Sequence, residues 1–305
     1  MTIRLGIIGW PLIKTFSPNI HQTLSEISNV DVTYKKLPIE NFTLDIFESL
    51  NNNFDGYNIT IPHKENIYNL SKDLKNVSRS FEVDNIKAVN TVKVDDNIVS
   101  LSNTDVDGIN QTFEFLSFDI NDKHVLILGS GGSAQTAQYT LSENNKVYIV
   151  SRNKKDGDLT YSDLSEIAGD IEVIINTTPL GMPPYENEKL PISLLNFSKL
   201  ELFYNFGYGV SKKLTSELPN NVTSIDGTIM LIAQAISSFN IWTGQSIKFN
   251  EAYKEILEKS LERERDSRER FEREVRERAS RESFERELRE RGSRERFGRE
   301  VRERG

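Results

Sequence analysis

The sequence contains no cysteine. Disulfides, thiolate nucleophiles and cysteine-ligated metals are therefore excluded. Histidine is nearly as scarce: His21, His63 and His124 lack metal-ligand spacing, so they read as structural or surface residues and no metal is expected. No stretch approaches the roughly 18 consecutive apolar residues that suggest a membrane-spanning helix. The apolar start, Leu5-Gly6-Ile7-Ile8-Gly9, is short and closes on glycine, as a first strand does and a secretory leader does not. A basic stripe is missing too. With 38 Lys and Arg against 46 Asp and Glu the chain carries −8, which argues against a nucleic-acid partner. The expectation is a cytoplasmic protein, monomeric or homodimeric, acting on small molecules.

The 305 residues are enough for two ordinary domains, and the pattern divides them into three parts. Residues 1–103 alternate short apolar runs with helical patterns. Strands are predicted over Leu5–Ile8, Val32–Lys36, Tyr57–Thr60, Asn90–Val94 and Ile98–Leu101, and Ser17-Pro18 is a good helix start with serine as cap. That alternation predicts an α/β domain with a mixed sheet. Residues 104–226 hold a second α/β unit, in which His124–Leu128, Lys146–Val150 and Glu172–Ile175 read as strands buried on both faces. From 227 to 259 the pattern is helical, through Met230, Ala235, Phe239 and Trp242, and these helices are expected to return to the first domain.

Residues 260–305 differ from everything before them. They hold 16 Arg, 13 Glu and one Asp, a net of 16 − 14 = +2 that leaves −10 for the body. A 13-residue unit occurs three times, at Ser267–Ala279, Ser280–Gly292 and Ser293–Gly305, each with one apolar pair such as Phe271/Val275. Thirteen helical residues advance about 1300°, roughly 220° beyond whole turns, so the pairs spiral and make no coiled-coil seam. The tail is expected to be a solvated charged helix or disordered, with no catalytic part.

Several segments carry chemistry. Gly129-Ser130-Gly131-Gly132-Ser133-Ala134 follows a predicted strand and precedes a helix, fitting the G-x-G-x-x-A dinucleotide loop, in which glycines admit a pyrophosphate to free helix amides. At the end of the next strand a carboxylate would hold the 2′-hydroxyl of NAD. Here stand Ser151-Arg152-Asn153-Lys154-Lys155, with no acid before Asp156. That basic cluster suits a 2′-phosphate, hence NADP. Thr15 and Ser17 place two hydroxyls just before a helix, where they either grip a carboxylate or merely cap. Lys64 follows a strand end at Pro62, either as an acid facing a cleft or as a surface lysine. Asp105 lies at the proposed domain junction, as a cleft carboxylate or as a helix cap.

Taken in order, these segments resemble the shikimate/quinate dehydrogenase family over residues 3 to about 255. The carriers are Gly9–Pro18, Asn58-Ile-Thr60-Ile-Pro-His-Lys64, Ala88-Val-Asn90-Thr91, Asn103–Gly108, Asn176–Met182 and Gly227-x-x-Met230-Leu-x-x-Gln234-Ala235. The resemblance implies an N-terminal substrate domain, a Rossmann-type NADP domain, and reduction of 3-dehydroshikimate to shikimate in aromatic amino acid biosynthesis. It implies Lys64 and Asp105 as the catalytic pair and Thr15 and Ser17 as carboxylate ligands. Thr60, Asn90, Tyr204 and Gln234 complete the substrate site, and backbone near Leu202 and Gly227 lies beside the nicotinamide. Four residues depart from the family pattern: Lys14 for histidine, Thr15 for serine, Ser151 for asparagine, and Phe206 for a proline after Tyr204. The alternatives are an enzyme that accepts quinate or NAD, and a catalytically silent metabolite-binding homologue. Retention of Lys64 and Asp105 argues against the second.

Overall fold

The computed structural model describes residues 2–13, 15–96, 98–154, 159–209, 212–260 and, further on, 262, 263, 265, 266 and 269. Lys14, Lys155 and the repeats from residue 270 onward lie outside the described residues, and with them the expectation for the tail. Residues Met1–Ile256 form one compact unit and Leu257–Gly305 a second.

The first unit opens with β1 (Ile3–Gly9), α1 (Ser17–Ser28), β2 (Val32–Pro38), α2 (Leu44–Asn53), β3 (Gly56–Ile59), α3 (Lys64–Leu70), β4 (Val77–Arg79), α4 (Phe81–Ile86), β5 (Thr91–Asp95) and β6 (Ile98–Ser102). Its six strands make one sheet in the order β2-β1-β3-β5-β6-β4. β1, β2 and β3 are parallel, whereas β5 runs antiparallel to both β3 and β6, so the sheet is mixed as expected. Asp96 takes a φ of 44° in the β5–β6 hairpin, a left-handed conformation that aspartate tolerates. Thr43 and Ser80 cap α2 and α4 by accepting from Ile46 N–H and Val83 N–H.

The chain continues through α5 (Asp105–Leu116), β7 (His124–Leu128), α6 (Gly132–Leu141), β8 (Lys146–Ser151), β9 (Leu159–Thr160), β10 (Val173–Asn176), β11 (Leu202–Asn205), β12 (Thr223–Ile225) and α7 (Thr228–Thr243). A further helix begins at residue 249. The second sheet is parallel throughout, in the order β12-β11-β10-β7-β8-β9. Its central strands are buried on both faces, and the period of two sorts their side chains. Val125, Ile127, Val173, Ile175, Leu202 and Tyr204 pack with α5 and α6 residues, while Leu126, Leu128, Ile174 and Phe203 pack with Leu164, Leu194 and Phe197 on the other side.

Helix α7 ties to both sheets. The Trp242 indole donates to the Val92 carbonyl at 2.7 Å. A Cβ at Gly56 would lie 2.4 Å from the Trp242 ring, so only glycine lets this strand pass. At the other end Gly108 of α5 meets the Met230 backbone, where a Cβ would stand 2.9 Å from the carbonyl oxygen. β11, of four residues, was not expected from the sequence, and neither were β4, β9 and β12. The last three have only two or three residues at a sheet edge, too few for a periodicity to register.

Candidate active site

The parallel strands of both sheets end on a shared cleft of about 330 Å³. Clefts of this kind form at the carboxyl ends of strands in open α/β sheets. Thr15 and Ser17 stand at one wall. Ser17 was expected as a cap, but it is the first residue of α1; the cap position is Phe16 and no side chain caps the helix. Thr15 Oγ1 instead accepts from the Ser17 N–H at 3.2 Å and donates to Ser17 Oγ at 3.1 Å. This turn holds both hydroxyls at the amino end of α1, where the helix dipole favours an anion.

Lys64 is no surface residue. It opens α3 directly after the β3 end, and its ammonium donates to Asp105 Oδ2 at 2.5 Å and to Ser133 Oγ at 3.3 Å. Only 12% and 7% of the Lys64 and Asp105 side chains remain exposed. The other Asp105 oxygen accepts from Asn90 Nδ2 at 3.0 Å. Asn90 in turn has its amide orientation set by the Thr104 N–H, which donates to Asn90 Oδ1 at 2.8 Å. Asp105 is thus held on both oxygens. With two ammonium protons engaged, the third can serve a substrate oxygen in the cleft. Thr60, Asn90 and Gln234 also face this cleft, Gln234 from α7 with its Nε2 on the Leu231 carbonyl.

Neither Tyr204 nor Leu202 is among the residues that line this cleft. Tyr204 does not reach the cleft: it is fully buried, its hydroxyl 3.0 Å from Thr112 Oγ1, edge-on to Phe113. Leu202, the first residue of β11, is likewise buried at the strand end remote from the cleft. Four residues later the same spacing recurs, and Phe206 and Tyr208 line the cleft. Burial pushes the Tyr208 phenol above the ordinary tyrosine range, and the neighbouring Thr15 hydroxyl offsets part of the shift. The segment Leu202-Phe-Tyr204-Asn-Phe206-Gly-Tyr208 offers two aromatic frames. Residues 202 and 204 share the inner face of a covered strand, so the first frame belongs to the core.

The glycine loop fits a dinucleotide. Gly129 has a φ of 112°, and α6 begins at Gly132 with Gly131 as its cap and no side chain on the free amides. A Cβ at Gly131 would meet only Glu65 Oε1 at 4.0 Å, so the approach is open. At Gly132 a Cβ would come within 3.1 Å of Lys64 Cβ, which explains a glycine where the loop meets the lysine. Ser130 belongs to the same turn and Ser133 reaches Lys64. Beyond β8, Arg152, Asn153 and Lys154 are exposed, while Ser151 is buried and donates to the Asn153 carbonyl. Gly227 lies on the cleft, and a Cβ there would collide with the Phe206 carbonyl at 2.1 Å. Among the described residues no three His, Asp or Glu side chains gather as a metal site.

Comparison with known proteins identifies the family. Residues 7–92 match the model of the shikimate dehydrogenase substrate binding domain. A shikimate dehydrogenase (NADP(+)) of Methanococcus maripaludis is 32% identical over 264 residues, covering 80% of this chain and 92% of that one. The chain belongs to the shikimate dehydrogenase family. The Clostridium botulinum enzyme of the same name is 32% identical over 257 residues, 80% of this chain and 97% of its own. The crystal structure of shikimate dehydrogenase 1 from Peptoclostridium difficile superposes with a TM-score of 0.72 at 29% identity, covering 85% of this chain and 98% of that one. The matched residues run from the end of β1 through β4 to the start of β5 and include Thr15, Ser17, Thr60, Lys64 and Asn90, one side of the cleft.

Proposed function

We propose that the protein catalyses the reversible, NADPH-dependent reduction of 3-dehydroshikimate to shikimate in aromatic amino acid biosynthesis. The observation that carries this reading is the buried Lys64–Asp105 pair, which faces the cleft on one side and touches Ser133 of the dinucleotide loop on the other. Bound NADPH supplies the hydride for the keto carbon. Lys64 hydrogen-bonds the carbonyl oxygen as charge develops on it and donates the proton that completes the alcohol. Asp105 orients the ammonium and accepts from a substrate hydroxyl. Thr15, Ser17 and Tyr208 hold the substrate carboxylate; Thr60, Asn90 and Gln234 address the ring hydroxyls. Gly129, Ser130, Gly131, Gly132 and Ser133 cradle the pyrophosphate, and Arg152, with Ser151, Asn153 and Lys154, receives the 2′-phosphate. Gly227 and Phe206 border the nicotinamide.

The division of labour we propose follows: residues 1–103 with the helices of 227–259 bind substrate, 104–226 bind cofactor, and 260–305 stand apart from catalysis. Supporting it, strands β1–β6 all precede residue 103 and β7–β12 all lie between 124 and 225. We place the enzyme in the cytoplasm as a monomer or homodimer acting on small molecules and not on nucleic acid. A spectrophotometric assay of purified protein tests the activity, with shikimate against quinate and NADP against NAD. Shikimate with NADP is expected to be the preferred pair. Absence of turnover with shikimate, or preference for quinate, overturns the reading.

A further inference from the structure

Behind the catalytic pair lies a second layer of polar groups, of which Ser238, Thr91 and Thr104 are not among the residues that line the cleft. Its hub is Ser238 on α7, fully buried and one helical turn beyond Gln234. The Ser238 hydroxyl donates to the Gln234 carbonyl at 2.9 Å, so toward its other neighbours it acts as an acceptor. Asn58 Nδ2 donates to it at 3.0 Å and the Thr104 hydroxyl, 3.0 Å away, donates to it as well, while the Thr91 oxygen lies 2.9 Å away with its proton directed elsewhere. Thr91 Oγ1 donates to Asn90 Oδ1 at 2.9 Å, while Asn90 Nδ2 donates to Thr104 Oγ1 and to the Asp105 carboxylate, each at 3.0 Å. An unbroken run of buried hydrogen bonds therefore joins α7, through Ser238, to the carboxylate that orients Lys64.

We infer that Ser238 is a positioning residue for the reaction: from α7 it fixes the Thr91–Asn90–Thr104 cluster and thereby the Asp105–Lys64 pair. A serine within a helix that bonds back to the i−4 carbonyl brings no gain to the helix itself. A fully satisfied buried network does rigidify the groups it holds. Its members come from β3, β5, the turn before α5, and α7, so losing one hydroxyl loosens Asn90 without removing any group that faces substrate. The inference rests on the activity proposed above.

The test compares wild type, Ser238→Ala, Thr91→Val and the double variant by steady-state kinetics and thermal melting. Ser238→Ala is expected to lower kcat about 10-fold, inside the on-the-order-of 10²-fold that a misplacement of about 1 Å can cost. KM for shikimate and for NADP should stay within about threefold, because no substrate or cofactor contact is lost. Thr91→Val should act in the same direction, and the double variant should lose little beyond the larger single loss, since both loosen Asn90. Unchanged kcat in a folded Ser238→Ala protein overturns the inference, as does a loss shared equally between kcat and KM. If Ser238→Ala does not fold, Thr91→Val decides, and unchanged kcat there is fatal. Wild type that fails to turn over shikimate refutes the activity instead, before any variant is compared.

Discussion

Lys64 and Asp105 stand 41 residues apart in the chain, yet the ammonium donates to the carboxylate at 2.5 Å, with both side chains almost withdrawn from water. Desolvating two charges is costly, and a buried pair survives only where further hydrogen bonds complete it. Here Asn90 and Ser133 complete it, one on each partner. Lys64→Ala is expected to lower kcat by about 10²–10⁴-fold, with the shikimate dissociation constant within several-fold of wild type. The variant should also melt earlier, because Asp105 is left buried without its cation. Adding Asp105→Asn should recover melting temperature and not activity. A single variant that keeps half its turnover would remove Lys64 from the mechanism.

The two tyrosines of the β11 region should separate cleanly. A hydrogen bond to a charged group contributes roughly 1.5–3 kcal/mol, about a 10- to 100-fold change in affinity. Tyr208→Phe is therefore expected to raise KM for shikimate toward that range and leave KM for NADP alone. Tyr204→Phe removes only the bond to Thr112 inside the core. It should cost about 1 kcal/mol of stability, with KM unchanged. Reversed effects would return Tyr204 to the site.

Arg152 is exposed just beyond the end of β8. Arg152→Ala is expected to raise KM for NADPH by on the order of 10- to 100-fold and to leave KM for NADH almost unaltered. Lys154 softens the effect where it substitutes. Salt should weaken NADPH binding more in wild type than in the variant, because a solvent-facing charge pair is screened. Equal loss for both cofactors would mean that Arg152 shapes the loop and does not read the phosphate.

His21 supplies an acid-sensitive element away from the chemistry. It is fully buried, stacked on Tyr34 with ring centroids 4.2 Å apart, and both ring nitrogens lack a partner in hydrogen-bonding geometry. Burial lowers its pKa from 6.5 to about 3, with nearby Asn58 offsetting part of the shift. Between those values the unfolded chain binds one more proton than the folded protein, so stability rises with pH and is lost as pH falls below 6.5. The slope is about 1.4 kcal/mol per pH unit. His21→Phe keeps the stack and removes the proton. In urea unfolding, wild type should lose about 2 kcal/mol more than the variant between pH 7 and pH 5. Parallel pH dependences would show that His21 is charged in the folded state.

The sequence by itself determined whatever is written in local order. The apolar runs of β1, β7, β8 and β10 announce themselves, because a strand covered on both faces has no polar alternation to confuse it. The glycine loop before α6 and the basic cluster after β8 are legible for the same reason: a backbone that must admit a phosphate leaves its mark on consecutive residues. The tertiary structure alone decided what depends on direction. Tyr204 and Tyr208 stand four residues apart in the sequence, and only the tertiary structure buries one in the core and puts the other on the cleft. Ser17 reads as a cap until the helix is seen to start on it. Ser238 reads as one more polar residue of an apolar helix until Asn58, Thr91 and Thr104 are found around its hydroxyl. Those partners lie 180, 147 and 134 residues away in the chain. No local pattern spans such distances; only the packing of α7 against the first sheet brings them together.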